Sequence, residues 1–329
     1  MRHLGHLRSL LFLSIFSAAI SQSVADTNLF VAADGSAQFK TIQEAIMAVP
    51  AGSNSNHVFI HIKPGTYKEV IYVQREKRFF HLIGEDPETT ILTFDLNANI
   101  KGPDGKPIGT FRTPSTLIDA EDFTAENITF ENSAGPVGQA LAIRVDGDRA
   151  VFRNCRFLGW QDTILLNRGR QYFTNCFING HVDFIFGGAT AFFDNCQIHC
   201  LRNGYITAAS TPDTQKFGFV FSNCKITGET NVLTYLGRPW RNFASTIFMN
   251  CDMSSVVRPV GWHNWNKKEA EQTARYAEFN NRGPGAETSK RVPWAKQLTA
   301  SEAAAITPQA VLSGNDNWNP LAVRAAEKN

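Results

Sequence analysis

The sequence has few of the features that mark nucleic-acid-binding or membrane-spanning proteins. Its 32 Lys and Arg are balanced by 30 Asp and Glu, and no basic stripe or block of like charge stands out. Binding to a phosphate backbone requires such a stripe, so we expect no nucleic-acid partner. The longest apolar run, residues 10–20, is 11 residues long, whereas a transmembrane helix needs about 20. We therefore expect no membrane span.

Two common kinds of active site are also missing. There is no Gly-x-Ser-x-Gly nucleophile elbow and no recognisable Ser-His-Asp arrangement, which excludes the commoner esterase chemistry. The eight histidines show no ligand spacing. Cys196 and Cys200 have no second ligand pair nearby, as a zinc site would require. We expect neither a metal nor another cofactor.

The first 25 residues have the pattern of a secretory signal peptide. Arg2 and Arg8 form a basic start, residues 10–20 are apolar, and Ser23-Val24-Ala25 is a small-x-small cleavage site. Its removal would leave 30 basic and 30 acidic residues. We expect an exported protein, extracellular or, in a Gram-negative bacterium, periplasmic. Residues 26–329 would form one catalytic domain.

A five-fold repeat dominates the middle of the chain. Each copy reads Phe-x-Asn-Cys, and the residue numbers of successive cysteines differ by 21, 20, 28 and 27. A self-similar period in this range indicates stacked units that bury a continuous core against their neighbours. Alternating apolar and polar residues indicate strands, and Asn tolerates the left-handed bend at their ends. We predict a parallel β-helix with phenylalanines stacked inside; the copies begin at Phe152, Phe173, Phe193, Phe221 and Phe248.

The repeat converts sequence spacing into spatial proximity. Residues one repeat apart should stack about 4.8 Å apart, the distance between paired strands. Asp162 and Asp183 are separated by one such repeat, and so are Gln139 and Gln161. Arg238 follows Asp183 by about two of the longer steps. Five polar side chains are thus predicted to line one side of the solenoid.

Short helices and loops are predicted around the repeats. Residues 41–49 carry apolar residues at helical spacing and end at Pro50, so a short helix should cover one end of the solenoid. Thr299 and Glu302 form a capping-box pattern that opens a second helix. Residues 96–115, 201–214 and 259–274 read as loops leaving the core, and such loops usually project on the binding face.

The cysteines have two interpretations. Five belong to the repeat, and their simplest role is packing as small buried apolar residues. Cys176 and Cys196 belong to successive copies and should lie on adjacent rungs, which is compatible with a disulfide in an exported protein. The sequence leaves this pairing open.

Five segments stand in order along the chain at compatible spacing: Gly65-Thr66-Tyr67-Lys68-Glu69, Gln139-Ala140-Leu141-Ala142-Ile143-Arg144, Trp160-Gln161-Asp162-Thr163-Ile164, Asp183-Phe184-Ile185-Phe186-Gly187 and Leu236-Gly237-Arg238-Pro239-Trp240. A downstream run contains Gly261-Trp262, Trp265 and Gly283-Pro284-Gly285. Together these segments resemble the motif set of pectin methylesterases. The resemblance covers nearly the whole chain after residue 25 and implies a right-handed, single-stranded parallel β-helix of the pectin-lyase-like type. It also implies hydrolysis of methyl esters of galacturonan without a cofactor.

The resemblance also implies a role for each polar residue of the column. Asp183 would be the nucleophile and Asp162 the general acid/base, while Gln139 and Gln161 would hold the oxyanion and Arg238 would orient Asp183. Elementary electrostatics agrees, because two stacked carboxyls do not ionise equally easily and their pKa values separate. An arginine beside one carboxyl would favour its ionised form.

Some of these residues also have purely structural interpretations. Gln139 and Gln161 could form a structural amide ladder. Trp240 and Phe186 could be core aromatics, but they lie next to the catalytic candidates in sequence, and sugar rings stack on flat apolar faces. We therefore favour substrate contact for Trp240 and Phe186.

Three alternative functions remain open from the sequence. A polysaccharide lyase would want an acidic calcium-binding cluster and a basic proton abstractor, and the sequence instead places two glutamines beside the aspartates. A family offshoot could act on another ester or thioester, although Arg238 and Trp240 are intact. A non-catalytic polysaccharide-binding β-helix would be expected to lose the polar column. We expect a monomer, because both ends of the solenoid are predicted to be capped.

Overall fold

Short parallel strands are the predominant regular elements of the computed structural model, which describes residues 26–51 and 56–323. The predicted signal peptide, residues 1–25, lies outside the described residues. Most strands pair with strands one turn of the solenoid away rather than with their sequence neighbours. This pairing is that of a parallel β-helix and confirms the predicted fold class.

The strands are mostly three to five residues long, and two of them are much longer. In chain order they are β1 Thr27–Val31, β2 Val58–Ile62, β3 Gly65–Lys68, β4 Ile71–Val73, β5 Phe80–Gly84, β6 Thr90–Phe94, β7 Thr116–Ile118, β8 Thr124–Glu126, β9 Thr129–Asn132, β10 Ile143–Val145, β11 Ala150–Arg153, β12 Arg156–Leu158, β13 Ile164–Leu166, β14 Arg170–Thr174, β15 Phe177–Gly187, β16 Thr190–Asp194, β17 Gln197–Ala209, β18 Phe219–Ser222, β19 Lys225–Gly228, β20 Thr234–Gly237, β21 Ser245–Met249, β22 Asp252–Met253, β23 Arg275–Phe279 and β24 Lys296–Gln297.

These strands form two sheets that wrap around one core. The first sheet has 11 strands, in the order β1-β2-β5-β8-β11-β14-β16-β18-β21-β23-β24. The second sheet has two branches, one through β3, β6, β9 and β12 and the other through β4, β7, β10 and β13. The long strands β15 and β17 belong to both branches, so the bend between the branches lies inside them.

The predicted phenylalanine column is the centre of the core. The five repeat phenylalanines are paired in register on β11, β14, β16, β18 and β21. All five are fully buried, and successive rings stack with centroids 4.7, 4.6, 4.4 and 4.4 Å apart. The asparagine after each has a positive φ between 49° and 56°. The repeat therefore positions both the aromatic stack and the turn that follows it.

One short helix covers an end of the solenoid, and the C-terminal helices pack against the outside of the first sheet. Helix α1 (Ile42–Ala48) buries Ile42, Ala45 and Ile46 and packs on β1, β2 and β4. Its N-cap is Thr41 with a complete capping box, as expected for a stable first turn. The other helices are α2 (Ala270–Thr273), α3 (Ala300–Ala304) and α4 (Pro308–Leu312), with 3₁₀ turns at Thr110–Arg112, Pro284–Ala286 and Pro320–Ala322. None of the helices in the described part of the chain has the length and apolar character needed to cross a bilayer.

The predicted loop at residues 201–214 is largely wrong. Residues up to Ala209 belong to β17, and Thr207, Ala208 and Ala209 pair with the end of β15. The polar residues of this segment indicated a loop, but β15 and β17 stay paired through register shifts between Gly180 and Ile185. The extra residues of β17 are absorbed by this irregularity without leaving the sheet.

The structure does not form the disulfide that the spacing allowed between Cys176 and Cys196. All six cysteines are free and buried. The Cys176 thiol donates to the backbone carbonyl of Thr174 at 3.4 Å, and the Cys196 thiol donates to the backbone carbonyl of Asp194 at 3.4 Å. Side chains on adjacent parallel rungs run side by side about 4.8 Å apart, whereas disulfide Cβ atoms prefer about 3.8 Å. The five repeat cysteines therefore serve as core side chains.

Candidate active site

A cleft of about 300 Å³ opens where the two branches of the second sheet meet. Every residue that the sequence predicted for catalysis or substrate contact lines this cleft. These residues are Gln139, Gln161, Asp162, Asp183, Phe186, Arg238 and Trp240. Thr110, Phe111, Ala208 and Trp265 complete the lining.

The two aspartates occupy equivalent positions on adjacent rungs. Ile164 of β13 pairs with Ile185 of β15, and the same offset along the chain aligns Asp162 with Asp183. The amide of Asp162 donates to the carbonyl of Val182 at 3.0 Å. Both aspartates have positive φ, 65° and 52°. This region is costly for most L-residues and is tolerated best by Asn and Asp, so the backbone bends here while both carboxyls remain in the cleft.

Arg238 holds Asp183 through two parallel hydrogen bonds. Its Nε donates to Oδ1 at 2.8 Å, and its Nη2 donates to Oδ2 at 2.7 Å. The side chains are 18% and 9% exposed, so water screens this pair only weakly. A bidentate guanidinium–carboxylate pair fixes orientation as well as charge. Asp183 therefore has a single defined direction in the cleft.

Two aromatic rings pack on the guanidinium of Arg238. Its Cζ lies 3.8 Å from the ring centroid of Tyr205 and 3.7 Å from that of Trp265. Tyr205 itself stacks on Tyr235 with centroids 5.1 Å apart. These contacts stabilise the cation and restrict its rotation. From the sequence, Trp265 was expected in a loop and in the downstream motif run without a role in the site, and Tyr205 was not identified.

A close backbone approach places Arg238 beside Asp183. Gly237 pairs with Thr207 of β17, and a Cβ added at Gly237 would lie 2.0 Å from the Thr207 hydroxyl oxygen. Only glycine permits this distance. The next amide, of Arg238, donates to the Thr207 carbonyl at 2.9 Å. The close approach of Gly237 to β17 therefore places the side chain of Arg238 in the cleft.

Burial raises the pKa of both aspartates above the ordinary carboxyl value of 3.8. The pKa of Asp162 is raised well above that value, first by burial and then by the neighbouring charge of Asp183, with Arg238 opposing. For Asp183 burial is again the largest influence on the pKa, but the hydrogen bonds and the charge of Arg238 lower it. The direct pairing with Arg238 therefore favours ionisation of Asp183 before Asp162.

The two glutamines extend the column by one rung. Gln139 and Gln161 form an isolated parallel bridge, and the Ala140 amide donates to the Gln161 carbonyl at 3.2 Å. Both residues line the cleft beside Asp162. Within residues 26–51 and 56–323, neither side-chain amide hydrogen-bonds another protein group. The amides are therefore available to a molecule in the cleft.

Aromatic side chains form the apolar wall of the cleft. Phe186 is 5% exposed and packs with Leu141, Leu165 and Ala208 in a small core cluster. Trp240 packs on this cluster with its ring centroid 5.7 Å from that of Phe186. Phe111 faces Trp240 from the loop side, with centroids 6.5 Å apart. Phe186 thus has both a core role and a place in the lining.

Phe111 and Trp265 were missed as individual residues, but their loops were not. Phe111 lies in the 3₁₀ turn Thr110–Arg112 inside the predicted loop 96–115. Trp265 lies in the predicted loop 259–274, at a positive φ of 58°. Both loops project over the cleft, as expected for interruptions of a solenoid. The sequence signal for Phe111 was only its position in a loop, whereas Trp265 also belongs to the downstream motif run, in which it was given no role.

Comparisons with known proteins relate the chain to one family. The family model described as pectinesterase matches residues 28–315. The chain is 45% identical to Pectinesterase 31 of Arabidopsis thaliana over 280 residues, which covers 83% of this chain and 88% of the relative. It resembles the structure of a pectin methylesterase from carrot with a TM-score of 0.84 and 35% identity, covering 92% and 97% of the two chains. A pectin methylesterase solved in complex with a hexasaccharide matches with a TM-score of 0.76 and 30% identity, covering 89% and 98%.

Proposed function

Because this chain belongs to the pectinesterase family of carboxylic ester hydrolases, we propose that it hydrolyses the C6 methyl esters of homogalacturonan, giving pectate and methanol. One observation carries the proposal. A carboxylate fixed by a bidentate arginine lies one rung from a buried carboxyl of raised pKa, in a cleft with two uncommitted amides. A pectin methylesterase of the same fold is solved with a hexasaccharide, which supports a carbohydrate substrate.

In the first half of the proposed reaction, Asp183 is the nucleophile. A carboxylate oxygen of Asp183 attacks the carbonyl carbon of the methyl ester, and the electron pair moves onto the carbonyl oxygen. The side-chain amides of Gln139 and Gln161 donate to this oxyanion. Asp162, protonated because its pKa is raised, gives its proton to the departing methoxide. Methanol leaves, and Asp183 is joined to the substrate as a mixed anhydride.

In the second half, water opens the anhydride. Asp162 is now ionised and takes a proton from the attacking water, so it acts as a general base. The same two amides stabilise the second oxyanion. Collapse of this intermediate releases the free galacturonate carboxyl and returns Asp183 to its pair with Arg238. Asp162 ends protonated, and the net change is one ester and one water converted to one acid and one methanol.

The aromatic wall suits a sugar polymer. Trp240 and Phe111 present partly exposed ring surface to the cleft, and pyranose rings pack their apolar faces on such surfaces. The cleft is open rather than enclosed by described residues, so a long chain can pass through it. Within the proposal we assign substrate contact to Trp240 and also to Phe186, which is nearly buried but lines the same cleft.

The proposal extends to location and organisation. Homogalacturonan is a polymer too large to enter a cell, so an enzyme acting on it has to be exported. The signal-peptide pattern of residues 1–25 supports this location, and residues 26–329 would be the mature catalytic domain.

The direct test follows methanol and acid from highly methyl-esterified pectin in weak buffer. We expect equal amounts of both from the wild-type protein, with no ultraviolet absorbance from unsaturated sugars. Asp183→Asn should lower kcat by roughly 10⁴-fold or more, because the nucleophile is lost while the cleft keeps its shape. Asp213→Asn, an exposed aspartate outside the cleft, is the matched control and should keep full activity.

Each contrary result identifies a specific alternative. Unsaturated sugars without methanol would indicate a lyase. No product with intact binding of pectin would indicate a non-catalytic binder, and no product without binding would indicate a different ester. Full turnover by Asp183→Asn would overturn the nucleophile assignment while leaving the esterase activity in place.

A further inference from the structure

The loop that carries Phe111 over the cleft is fastened to the solenoid by an arginine outside the cleft lining. Arg144 lies on β10, in the segment that begins with Gln139. Its Nη1 donates to the backbone carbonyl of Phe111 at 3.1 Å. Its Cζ also lies 5.5 Å from the centroid of the Phe111 ring. One guanidinium therefore contacts both the backbone and the ring of a cleft residue.

Asp146 holds this guanidinium in place. The Nε of Arg144 donates to Oδ1 of Asp146 at 2.9 Å, and Nη2 donates to Oδ2 at 2.6 Å. The two side chains are 21% and 11% exposed. With Nε and Nη2 occupied in a bidentate pair, the direction of Nη1 is fixed toward the loop. Asp146 is itself anchored, because its amide donates to the Ile118 carbonyl at 2.8 Å.

The position of the Phe111 side chain is not fixed by packing in a core. Its side chain is 44% exposed although it lines the cleft, so burial alone does not fix its position. Its ring is 6.5 Å from that of Trp240 across the cleft wall. An exposed aromatic side chain on a loop contributes most to binding when its conformation is set before the ligand arrives.

We propose that Arg144, held by Asp146, is a positioning residue that presets Phe111 as the aromatic wall of the substrate cleft. This inference rests on the proposed function for its substrate, and it adds a residue that contacts no reacting atom. The chain of contacts runs from Asp146 to Arg144, then to Phe111 and Trp240. These contacts join β10, the strand that follows the proposed oxyanion residue Gln139, to the loop that carries Phe111.

The test is a double-mutant cycle on pectin hydrolysis. Arg144→Met should raise KM about five- to tenfold, with kcat within about twofold of wild type, because ground-state and transition-state binding weaken equally. Phe111→Ala should raise KM similarly. The double variant should be no worse than Phe111→Ala, because both changes remove the same interaction. Arg144→Lys keeps the charge but not the bidentate geometry and should be intermediate.

Arg168→Met is the matched control. Arg168 donates to the Asp146 carbonyl at 2.8 Å and to Asp119, so it supports the same turn without contacting the loop. Its loss should leave KM unchanged. An equal rise in KM for Arg168→Met, an unchanged KM for Arg144→Met, or additive effects in the double variant would each overturn the proposal.

Hydrogen–deuterium exchange gives a readout that does not need turnover. The amides of Arg112 and Thr113 donate within the 3₁₀ turn, to Gly109 and Thr110. These two amides should exchange faster in Arg144→Met than in wild type. Unchanged exchange would overturn the proposal that Arg144 positions the loop. If wild-type protein releases no methanol, the proposed function fails, and the exchange experiment still decides whether Arg144 positions the loop.

Discussion

At the scale of the residue, Arg238 determines how Asp183, the proposed nucleophile, is charged and aimed. Burial raises the pKa of Asp183, and only the hydrogen bonds and the charge of Arg238 lower it. The arginine is held by the rings of Tyr205 and Trp265, so its position does not depend on Asp183 alone. A carboxylate nucleophile has to be ionised to attack. Under the proposed mechanism, the arginine therefore sets the lower end of the pH range in which the site can work.

Removal of Arg238 should move the acidic limb of the pH profile. With Arg238→Met the pKa of Asp183 rises further, so kcat/KM should begin to fall at a pH about one to three units higher than in wild type. The alkaline limb, which reports loss of the Asp162 proton, should also move to higher pH, because Arg238 lowers that pKa as well. The measurement is kcat/KM against pH on a soluble methyl-esterified oligogalacturonide.

Arg241→Met is the control for this experiment. Arg241 is exposed and lies 5.7 Å from the Trp240 ring, so its replacement removes the same charge from the rim without touching either aspartate. Its acidic limb should coincide with that of wild type. An acidic limb that stays in place in Arg238→Met would show that another group controls the ionisation of the nucleophile.

At the scale of the element, the stacked phenylalanines connect one rung to the next. Phe193 on β16 is fully buried, with ring centroids 4.6 Å from Phe173 and 4.4 Å from Phe221. The rung of β16 follows directly after Asp183 on β15. Loss of a ring from this column would therefore disturb the packing next to the cleft.

Phe193→Ala should lower the free energy of unfolding by about 3–5 kcal/mol, because it leaves a cavity between two rings that cannot close. Urea denaturation followed by fluorescence measures the change. Phe243→Ala is the control, because Phe243 is 41% exposed and its loss should cost less than about 1 kcal/mol. A cost below that level at Phe193 would mean that the column is not a principal source of stability.

The sequence predicted those features that repeat and left out those that break the repeat. The phenylalanine register, the left-handed asparagines and the alignment of Asp162 with Asp183 all follow from a constant offset along the chain. The positive φ of the two aspartates and the register shifts before Ile185 do not, because they depend on how two long strands bend together. For the same reason Tyr205, which packs on Arg238 from the bent part of β17, had no sequence signal. The free state of Cys176 and Cys196 depends on side-chain direction, which spacing does not contain.

At the scale of the whole molecule, export and the state of the cysteines can be measured together. We expect the mature protein to begin at Asp26 and to carry six free thiols. Intact mass of the exported protein, alkylated in denaturant without reductant, should show loss of residues 1–25 and six added groups. Alkylation of the native protein should add none, because all six thiols are buried. Four added groups in denaturant would reveal a disulfide, and an N-terminus at Met1 would contradict the signal peptide.

The ends of the first sheet have a consequence for how the molecule behaves among its own copies. A stack of parallel strands at a spacing of about 4.8 Å is also the arrangement of a growing fibril, in which each exposed edge recruits the next chain. Here helix α1 packs on β1 and β2 at one end, and at the other the stack tapers to β24, two exposed residues that include Lys296. We expect these ends to block the addition of further chains, and removal of either end should expose a strand edge on which other copies can aggregate.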